Sequence, residues 1–401
     1  MKLRSSEPFW LEKNGIVKSY PSVREHLKTE MLIVGGGITG SLIAHQCIDD
    51  GYDTVLIDKR EIAHGSTSAT TSMLQYEIDV PLNELIEQIG EEGAVANYRA
   101  CADSIDTLGK LSKKIKSVCG FEKKQSLYFA AYKKDVAALI EEFKIRKKYG
   151  FPVVWLEPDD IEKKYGLKNT FGGILSDCGG SIDAFRLTHD LLSYNTEKGL
   201  RVYDKTNIKN VKYSKYGVKV VLENECKISA KKLIYCTGFE STEIIKDNFV
   251  KLLSTYAMVG EQQESDQEKL KNTLFWNTAD PYIYMRTTDD GRLLIGGEDE
   301  DYVNAEKRNA TIGDKAVKLK KYLKKILPDY EFVNDFAWAG TFGETKDGLP
   351  YIGAHKNFNS TYFVLGFGGN GITFSVIGMD VISNMLKNKK HPLEKYYRFD
   401  R

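Results

Sequence analysis

Three glycines at the spacing Gly35-x-Gly37-x-x-Gly40 follow the apolar run Leu32-Ile33-Val34, and a helix-like segment, 41–49, comes next. Strand, tight turn and helix start in that order are suited to holding a pyrophosphate. Gly35 supplies the turn, Gly37 admits phosphate to the backbone, and Gly40 lets helix and strand pack closely. The new helix offers unpaired N–H groups and the positive end of its dipole. A second apolar run, 54–57, ends in Asp58, about 20 residues on, where a ribose 2′-hydroxyl needs an acceptor. A glycine motif alone reads as a flexible turn. With strand, helix and acid in place, it reads as a dinucleotide site. The free carboxylate disfavours a 2′-phosphate, which leaves FAD or NAD.

Other stretches could serve the same ligand. Residues 65–72, Gly-Ser-Thr-Ser-Ala-Thr-Thr-Ser, offer hydroxyl and backbone donors without bulk, although a flexible loop is the plain alternative. Thr237-Gly238 closes the apolar run 232–236 and leaves room for a close approach. Gly366-Phe367-Gly368-Gly369-Asn370-Gly371 joins a strand-like run, 362–365, to a helix-like one beginning at Ile372. The six histidines (26, 45, 64, 189, 355 and 391) are scattered, and each reads as surface or packing rather than as a base. Six cysteines make no C-x-x-C pair and no cluster with histidine. Neither a disulfide framework nor a metal site is expected, and a reducing cytoplasm fits.

The elements that must position these residues follow from the pattern of apolar positions. Helical spacing from 82 to 117 (Leu85, Ile86, Ile89, then Tyr98, Ile105, Leu108, Leu111) predicts two long helices, and 136–146, 183–198 and 311–327 predict three more. Strands are expected at 126–130, 153–156, 252–261, 282–287 and 292–297, with a compact antiparallel unit from 208–213, 218–222 and 232–236. Lys318–Lys325 gives a basic, solvated helix face. Phe9-Trp10-Leu11 should pack on the body of the protein. Of 401 residues, 42 % are hydrophobic, enough for two cores. With 57 basic and 56 acidic residues, the net charge of +1 argues against a dedicated nucleic-acid binder. Residues 1–30 hold no apolar signal core and no run of about 18 apolar residues occurs, so a soluble, cytoplasmic protein is expected.

The motifs, in this order, resemble the D-amino-acid oxidase family of FAD proteins, in the branch with glycine oxidase and sarcosine oxidase. Gly35–Gly40 with Asp58 is the shared opening, and 66–74 looks like the glycine-oxidase loop that wraps the flavin. Cys236-Thr237-Gly238 looks like the second nucleotide-side strand end. Trp338-Ala339-Gly340 and 345–353 are close to the C-terminal signature, 366–373 resembles the final flavin loop, and Phe9-Trp10 is more like γ-glutamylputrescine oxidoreductases. The resemblance implies FAD contacts from Ile38, Thr39, Asp58, Lys59, Ser66, Thr67, Thr71, Ser72, Met73, Ile208, Thr237, Gly238 and Gly340. It also implies contacts from Phe367, Gly368, Gly369, Asn370, Gly371, Ile372 and Thr373 at the pyrimidine end. There a helix start would favour the negative charge of reduced flavin. Tyr282 aligns with a substrate-contacting tyrosine. Tyr284 and Arg286 share its face by strand period, Arg286 as a structural or substrate group. Glu344 could meet a polar substrate; Gln75, Tyr76 and Tyr256 are weaker pocket candidates.

Departures from the family pattern bear on substrate and acceptor. Phe342 and Gly369 stand where relatives carry carboxylate-binding arginines, which an aromatic ring does not replace. Leu294 stands where sarcosine oxidases carry an oxygen-activating lysine. The stretch 338–353 has no cysteine, so FAD should bind non-covalently. The implied reaction is oxidation of the C–N bond of a small amine or amino acid derivative. A neutral amine loses hydride from its α-carbon to flavin N5, and water hydrolyses the imine. Dioxygen or another acceptor takes the electrons. The alternatives are a dehydrogenase serving a quinone or carrier protein, oxidation of a modified tRNA base, and a plain NAD enzyme. The expected class is α/β, with a Rossmann-like FAD-binding domain (29–90, 183–250 and 336–401). It is interleaved with an α+β substrate domain (91–182 and 251–335) on a large, mostly antiparallel sheet, after an N-terminal extension, 1–28.

Overall fold

The computed structural model describes residues 1–263 and 268–401. Two sheets organise them. The first runs in space Tyr351–Ala354, Thr361–Leu365, Lys227–Tyr235, Leu27–Val34, Thr54–Ile57, Arg201–Tyr203. All its neighbours pair in parallel except Tyr351–Ala354 with Thr361–Leu365. Short β-branched runs suit this arrangement, since helices cover the faces of a parallel sheet. Every residue of Thr54–Ile57 is buried. The hairpin Ile208–Ser214 with Gly217–Leu222 joins antiparallel at the start of Lys227–Tyr235. That strand is therefore not the third member of an isolated antiparallel unit. Its other edge is claimed in parallel by the apolar run Leu27–Val34.

The second sheet runs Asn334–Glu344, Lys251–Gly260, Leu293–Glu300, Tyr284–Thr287, Thr273–Asn277, Glu122–Phe129, Gly173–Ser181, Met73–Gln75, with Val153–Leu156 also paired to Gly173–Ser181. Only Thr273–Asn277 with Glu122–Phe129 is parallel. Met73–Gln75 and Asn334–Glu344 come from stretches otherwise adjoining the first sheet, so the chain passes between sheets beside the cavity described below. Tyr282 lies outside its expected strand, in the connection before Tyr284–Thr287, because the Ile283 N–H is committed to Asn277 Oδ1 at 3.0 Å rather than to a ladder.

Of the two helices expected over 82–117, one is short. Leu82–Ile89 stops at Gly90, whose φ of 83° is left-handed, and Glu91–Lys114 runs for 24 residues. Helices Ile38–Asp49 and Gly371–Leu386 pack together, with Thr39 Oγ1 2.7 Å from Ser375 Oγ. Phe9 and Trp10 are buried in the main core, and Trp10 Nε1 donates to the Thr70 carbonyl at 2.6 Å. In Ile312–Ile326 the apolar residues Leu319, Leu323 and Ile326 face inward while Lys318, Lys320, Lys321, Lys324 and Lys325 are exposed. Among the described residues no helix is long and apolar enough to cross a membrane.

Candidate active site

A cavity of about 450 Å³ is walled by residues of both sheets. At one end lies the glycine turn. Gly35 leaves strand Leu27–Val34 at a φ of 110°, and a Cβ there would come within 2.4 Å of the Cys236 carbonyl oxygen. A Cβ on Gly40 would fall 1.8 Å from the Gly35 oxygen, and one on Gly37 would lie 2.8 Å from Thr67 Oγ1. Helix Ile38–Asp49 therefore starts closer to the strand than any side chain allows. Thr67 caps it, accepting the Ile38 N–H at 3.0 Å. Asp58 anchors the turn, its two oxygens taking the Gly36 and Arg60 N–H groups at 2.6 and 2.7 Å. Burial pushes its pKa up against those two donors.

Gly35, Gly37, Ile38, Thr39, Asp58 and Lys59 face the cavity, joined by Ser66, Thr67, Thr71 and Met73 from the hydroxyl-rich loop. Ile208, Thr237, Gly238 and Gly340 face it from across the strand ends. Gly40 and Ser72 do not. Gly40 is packed under the turn, and the buried Ser72 sits at a φ of 54° with its hydroxyl unpartnered. Glu240 escaped the sequence. It lines the cavity and binds Lys59 at 2.9 Å and Arg60 through both oxygens, at 2.5 and 3.1 Å. It lies in a short turn after Gly238 with no pattern to mark it. Leu3 also reaches the wall, held by the Thr341 N–H on its carbonyl at 2.7 Å.

The last glycine loop forms part of the far end. Gly368, Gly369, Gly371 and Ile372 face the cavity; Phe367, Asn370 and Thr373 support it from behind. Phe367 stacks on Phe239, with ring centroids 5.6 Å apart. Asn370 Nδ2 clamps the carbonyls of Gln75 and Glu77 at 3.0 and 2.9 Å, and Thr373 Oγ1 donates to the Asn370 carbonyl. Tyr282, Tyr284 and Phe342 complete this wall, the two tyrosine rings 5.6 Å apart.

Arg286 is not on the wall. It is fully buried and donates to the Thr71, Thr287 and Ile182 carbonyls at 2.7, 3.0 and 3.2 Å, with Trp10 over its guanidinium. Burial lowers its pKa to about 10. Its three backbone partners occupy it as a post for the hydroxyl-rich loop. Glu344, at the end of its strand, is exposed and off the wall. Gln75 and Tyr256 line the cavity, whereas Tyr76 lies in the core against Tyr98 and Phe151. No histidine is on the wall. Cys236 is, but burial raises its thiol pKa far above the ordinary value, which suits packing rather than nucleophilic attack.

The sequence missed the acidic groups behind the far wall. Asp79 accepts the Gly369 N–H at 2.9 Å, and burial raises its pKa to about 6. Asp299 is raised to about 6 by the same cause, and one of its oxygens is buried without a partner. The glycine end fits FAD on steric grounds, since the space for a dinucleotide exists only where Cβ atoms are missing.

Comparison with known proteins agrees with that fit. Residues 30–383 match the family described as "DAO: FAD dependent oxidoreductase". Glycine oxidase of Geobacillus kaustophilus is 22 % identical over 371 residues, 90 % of this chain and 93 % of that protein. The gamma-glutamylputrescine oxidoreductase of Escherichia coli is 21 % identical over 381 residues, 92 % and 86 % of the two chains. Among solved structures, L-proline dehydrogenase from P. horikoshii superposes with a TM-score of 0.77 at 19 % identity, covering 93 % of this chain and 97 % of that one. At that identity the likeness shows the fold, a Rossmann-like parallel region beside a mixed sheet. The family match spans strands of both sheets and every cavity-lining residue except Leu3, and so the chain belongs to the DAO family of FAD-dependent oxidoreductases.

Proposed function

We propose that this enzyme oxidises the C–N bond of a small amine or amino acid derivative, with FAD held non-covalently along the cavity. One observation carries the proposal: a single cavity joins the glycine cradle to a wall of Tyr282, Tyr284 and Phe342. Relatives named for glycine and for gamma-glutamylputrescine oxidation support the amine class. In this assignment the first sheet, with residues 29–90, 183–250 and 336–401, serves the cofactor. Residues 91–182 and 251–335 serve the substrate.

Gly37, Thr39, Ser66 and Thr67 would hold the pyrophosphate, Asp58 and Lys59 the ribose, and Gly368–Ile372 the pyrimidine side of the flavin. Bound there, FAD supplies the two-electron acceptor that C–N oxidation requires. The chain's own task is to orient the α-carbon and keep water away. Trp338, Ala257 and Phe342 give the wall its apolar part, and the Tyr282 and Tyr284 hydroxyls offer orienting hydrogen bonds. Hydride leaves from a neutral amine, so no strong side-chain base is needed, in keeping with a wall that holds no histidine. Water then hydrolyses the imine.

An acceptor other than dioxygen is the second possibility, favoured by Leu294. This residue is fully buried, paired to Val259 and Arg286, and presents no cation to the cavity. The test is anaerobic addition of amines to the purified protein while following flavin absorbance near about 450 nm. Bleaching by an amine supports C–N oxidation, and slow recovery in air supports the second acceptor. A protein that stays yellow with every amine offered overturns the amine assignment.

A further inference from the structure

Residues 1–5 lie outside the stretch that matches the family, yet one of them is part of the cavity wall. Leu3 is buried there between two elements. A Cβ on Gly65, in the hydroxyl-rich loop, would lie 3.6 Å from Leu3 Cδ1. One on Gly340, in strand Asn334–Glu344, would lie 3.9 Å from the Leu3 carbonyl oxygen. Leu3 therefore fills the gap between loop and strand and closes the wall at that point.

The backbone around Leu3 is held lightly. Asn334–Glu344 is an edge of the second sheet, and residues 3–5 meet it through a single antiparallel bridge, Arg4 with Gly340. The Thr341 N–H donates to the Leu3 carbonyl at 2.7 Å and the Ser5 N–H to the Ala339 carbonyl at 2.9 Å. Ser5 Oγ accepts the Ala339 N–H at 3.1 Å. Side chains tie the segment across to the cofactor side. Arg4 Nε donates to the His64 carbonyl and Arg60 Nη2 to the Met1 carbonyl, each at 3.1 Å. Arg308 Nη1 reaches both the Lys2 carbonyl and Thr341 Oγ1, also at 3.1 Å. Each such bond is worth little net, and an edge segment held by a few of them opens more often than the sheets it joins.

The residues that follow are anchored differently. Phe9 and Trp10 are buried in the core, Phe9 stacked on Trp338 with ring centroids 6.5 Å apart and Trp10 bonded to the Thr70 carbonyl. Ser6 and Glu7, between anchor and edge segment, are exposed. The chain thus runs from a fixed point through an exposed connection to a lightly paired segment on the cavity wall. We propose that residues 1–5 are a latch on the cofactor site. Paired, they close the gap beside the hydroxyl-rich loop and retain FAD; unpaired, with Phe9 and Trp10 still in place, they open it for FAD to enter and leave. The latch depends on the cofactor alone and holds whatever the substrate.

Ser5 is not on the cavity wall, so Ser5→Pro weakens the latch without altering the site. It removes the N–H given to Ala339 and the hydroxyl that accepts from it. Release is read from the flavin left on the protein after gel filtration at successive times, with excess 5-deaza-FAD filling vacated sites. Entry is read from the quenching of FAD fluorescence on mixing with FAD-free protein. Both should be about tenfold faster than in the parent, as loss of about one or two bonds implies. Ser6→Ala, in the exposed connection, should match the parent. Loss of a mere contact with FAD would speed release and leave entry unchanged. Unchanged release, or faster release at unchanged entry, overturns the proposal. Should Ser5→Pro not fold, hydrogen exchange in the unaltered FAD-loaded protein decides. The Ser5 and Thr341 amides should exchange faster than that of Leu56, in the wholly buried strand Thr54–Ile57. Exchange no faster than at Leu56 means that the segment opens only with the sheets, and the latch is refuted.

Discussion

At the glycine end of the cavity the wall is backbone, and every charge there has a partner. Asp58 holds two N–H groups, Glu240 holds Arg60 and Lys59, and the helix start is capped by Thr67. At the tyrosine end side chains take a larger part of the wall, and among the described residues neither Asp79 nor Asp299 forms an ion pair. The first region is rigid because close backbone approach leaves no alternative packing.

The largest effect expected is at Gly40. Gly40→Ala would drive a Cβ into the Gly35 carbonyl, with loss of about 3 kcal/mol or more and of bound flavin, read by thermal unfolding and absorbance. Gly313→Ala is the control. It faces open space in helix Ile312–Ile326 and should be neutral or up to about 1 kcal/mol more stable. If both alanines behave alike, close packing at the turn is not what sets that end apart. Next comes Arg286→Met, which leaves three buried carbonyls short of a donor. About 2–3 kcal/mol should be lost, with faster FAD release, while kcat/KM per bound flavin changes little. A raised KM at unchanged stability would instead move Arg286 to the substrate end.

The two ends also differ in how much of them could be read from residue order. The glycine turn, the hydroxyl-rich loop and the final glycine loop are local patterns, and residues of each line the cavity. Glu240, Asp79 and Asp299 come from segments far apart in the chain, and no periodicity marks a residue whose role is set by what folds against it. Helix Val136–Lys148 shows the same limit. The apolar spacing of 136–146 predicted a helix but not that two of its charged residues, Glu142 and Arg146, are buried. Glu142 turns inward to accept the Leu82 and Asn83 N–H groups at 2.9 and 3.0 Å, capping a neighbouring helix start, and Arg146 follows to neutralise it at 2.7 Å. Tyr282 was readable only through family resemblance, since a strand tyrosine is the ordinary alternative.

Tyr282→Phe separates those alternatives. Its hydroxyl borders the cavity beside Gly369, so its loss should lower kcat/KM on the preferred amine about tenfold, with melting temperature and FAD content unchanged. Unchanged kcat/KM would remove Tyr282 from the site and leave the tyrosine end without an orienting hydroxyl on that side.

The smallest effect is a difference in sign. Burial alone would raise the Glu240 pKa, but hydrogen bonds from Arg60 and Lys59 outweigh it and hold the group below its ordinary 4.5. A depressed carboxylate adds stability that is present above the unfolded pKa and is lost as pH falls through the folded one. Asp79 is the opposite case, raised by burial from 3.8 to about 6. Between those values the folded chain keeps a proton that the unfolded chain has released, so stability falls as pH rises. Glu240→Gln should therefore lower stability by about 1 kcal/mol at pH 7, the deficit shrinking below about pH 4.5. Asp79→Asn, whose amide oxygen still accepts the Gly369 N–H, should gain on the parent between about pH 4 and pH 6 and hold that gain above. Melting temperatures of the FAD-loaded proteins across this range test both. Parallel curves would mean that the two carboxylates sit in equivalent surroundings, and the contrast between the balanced and the unbalanced end would fall.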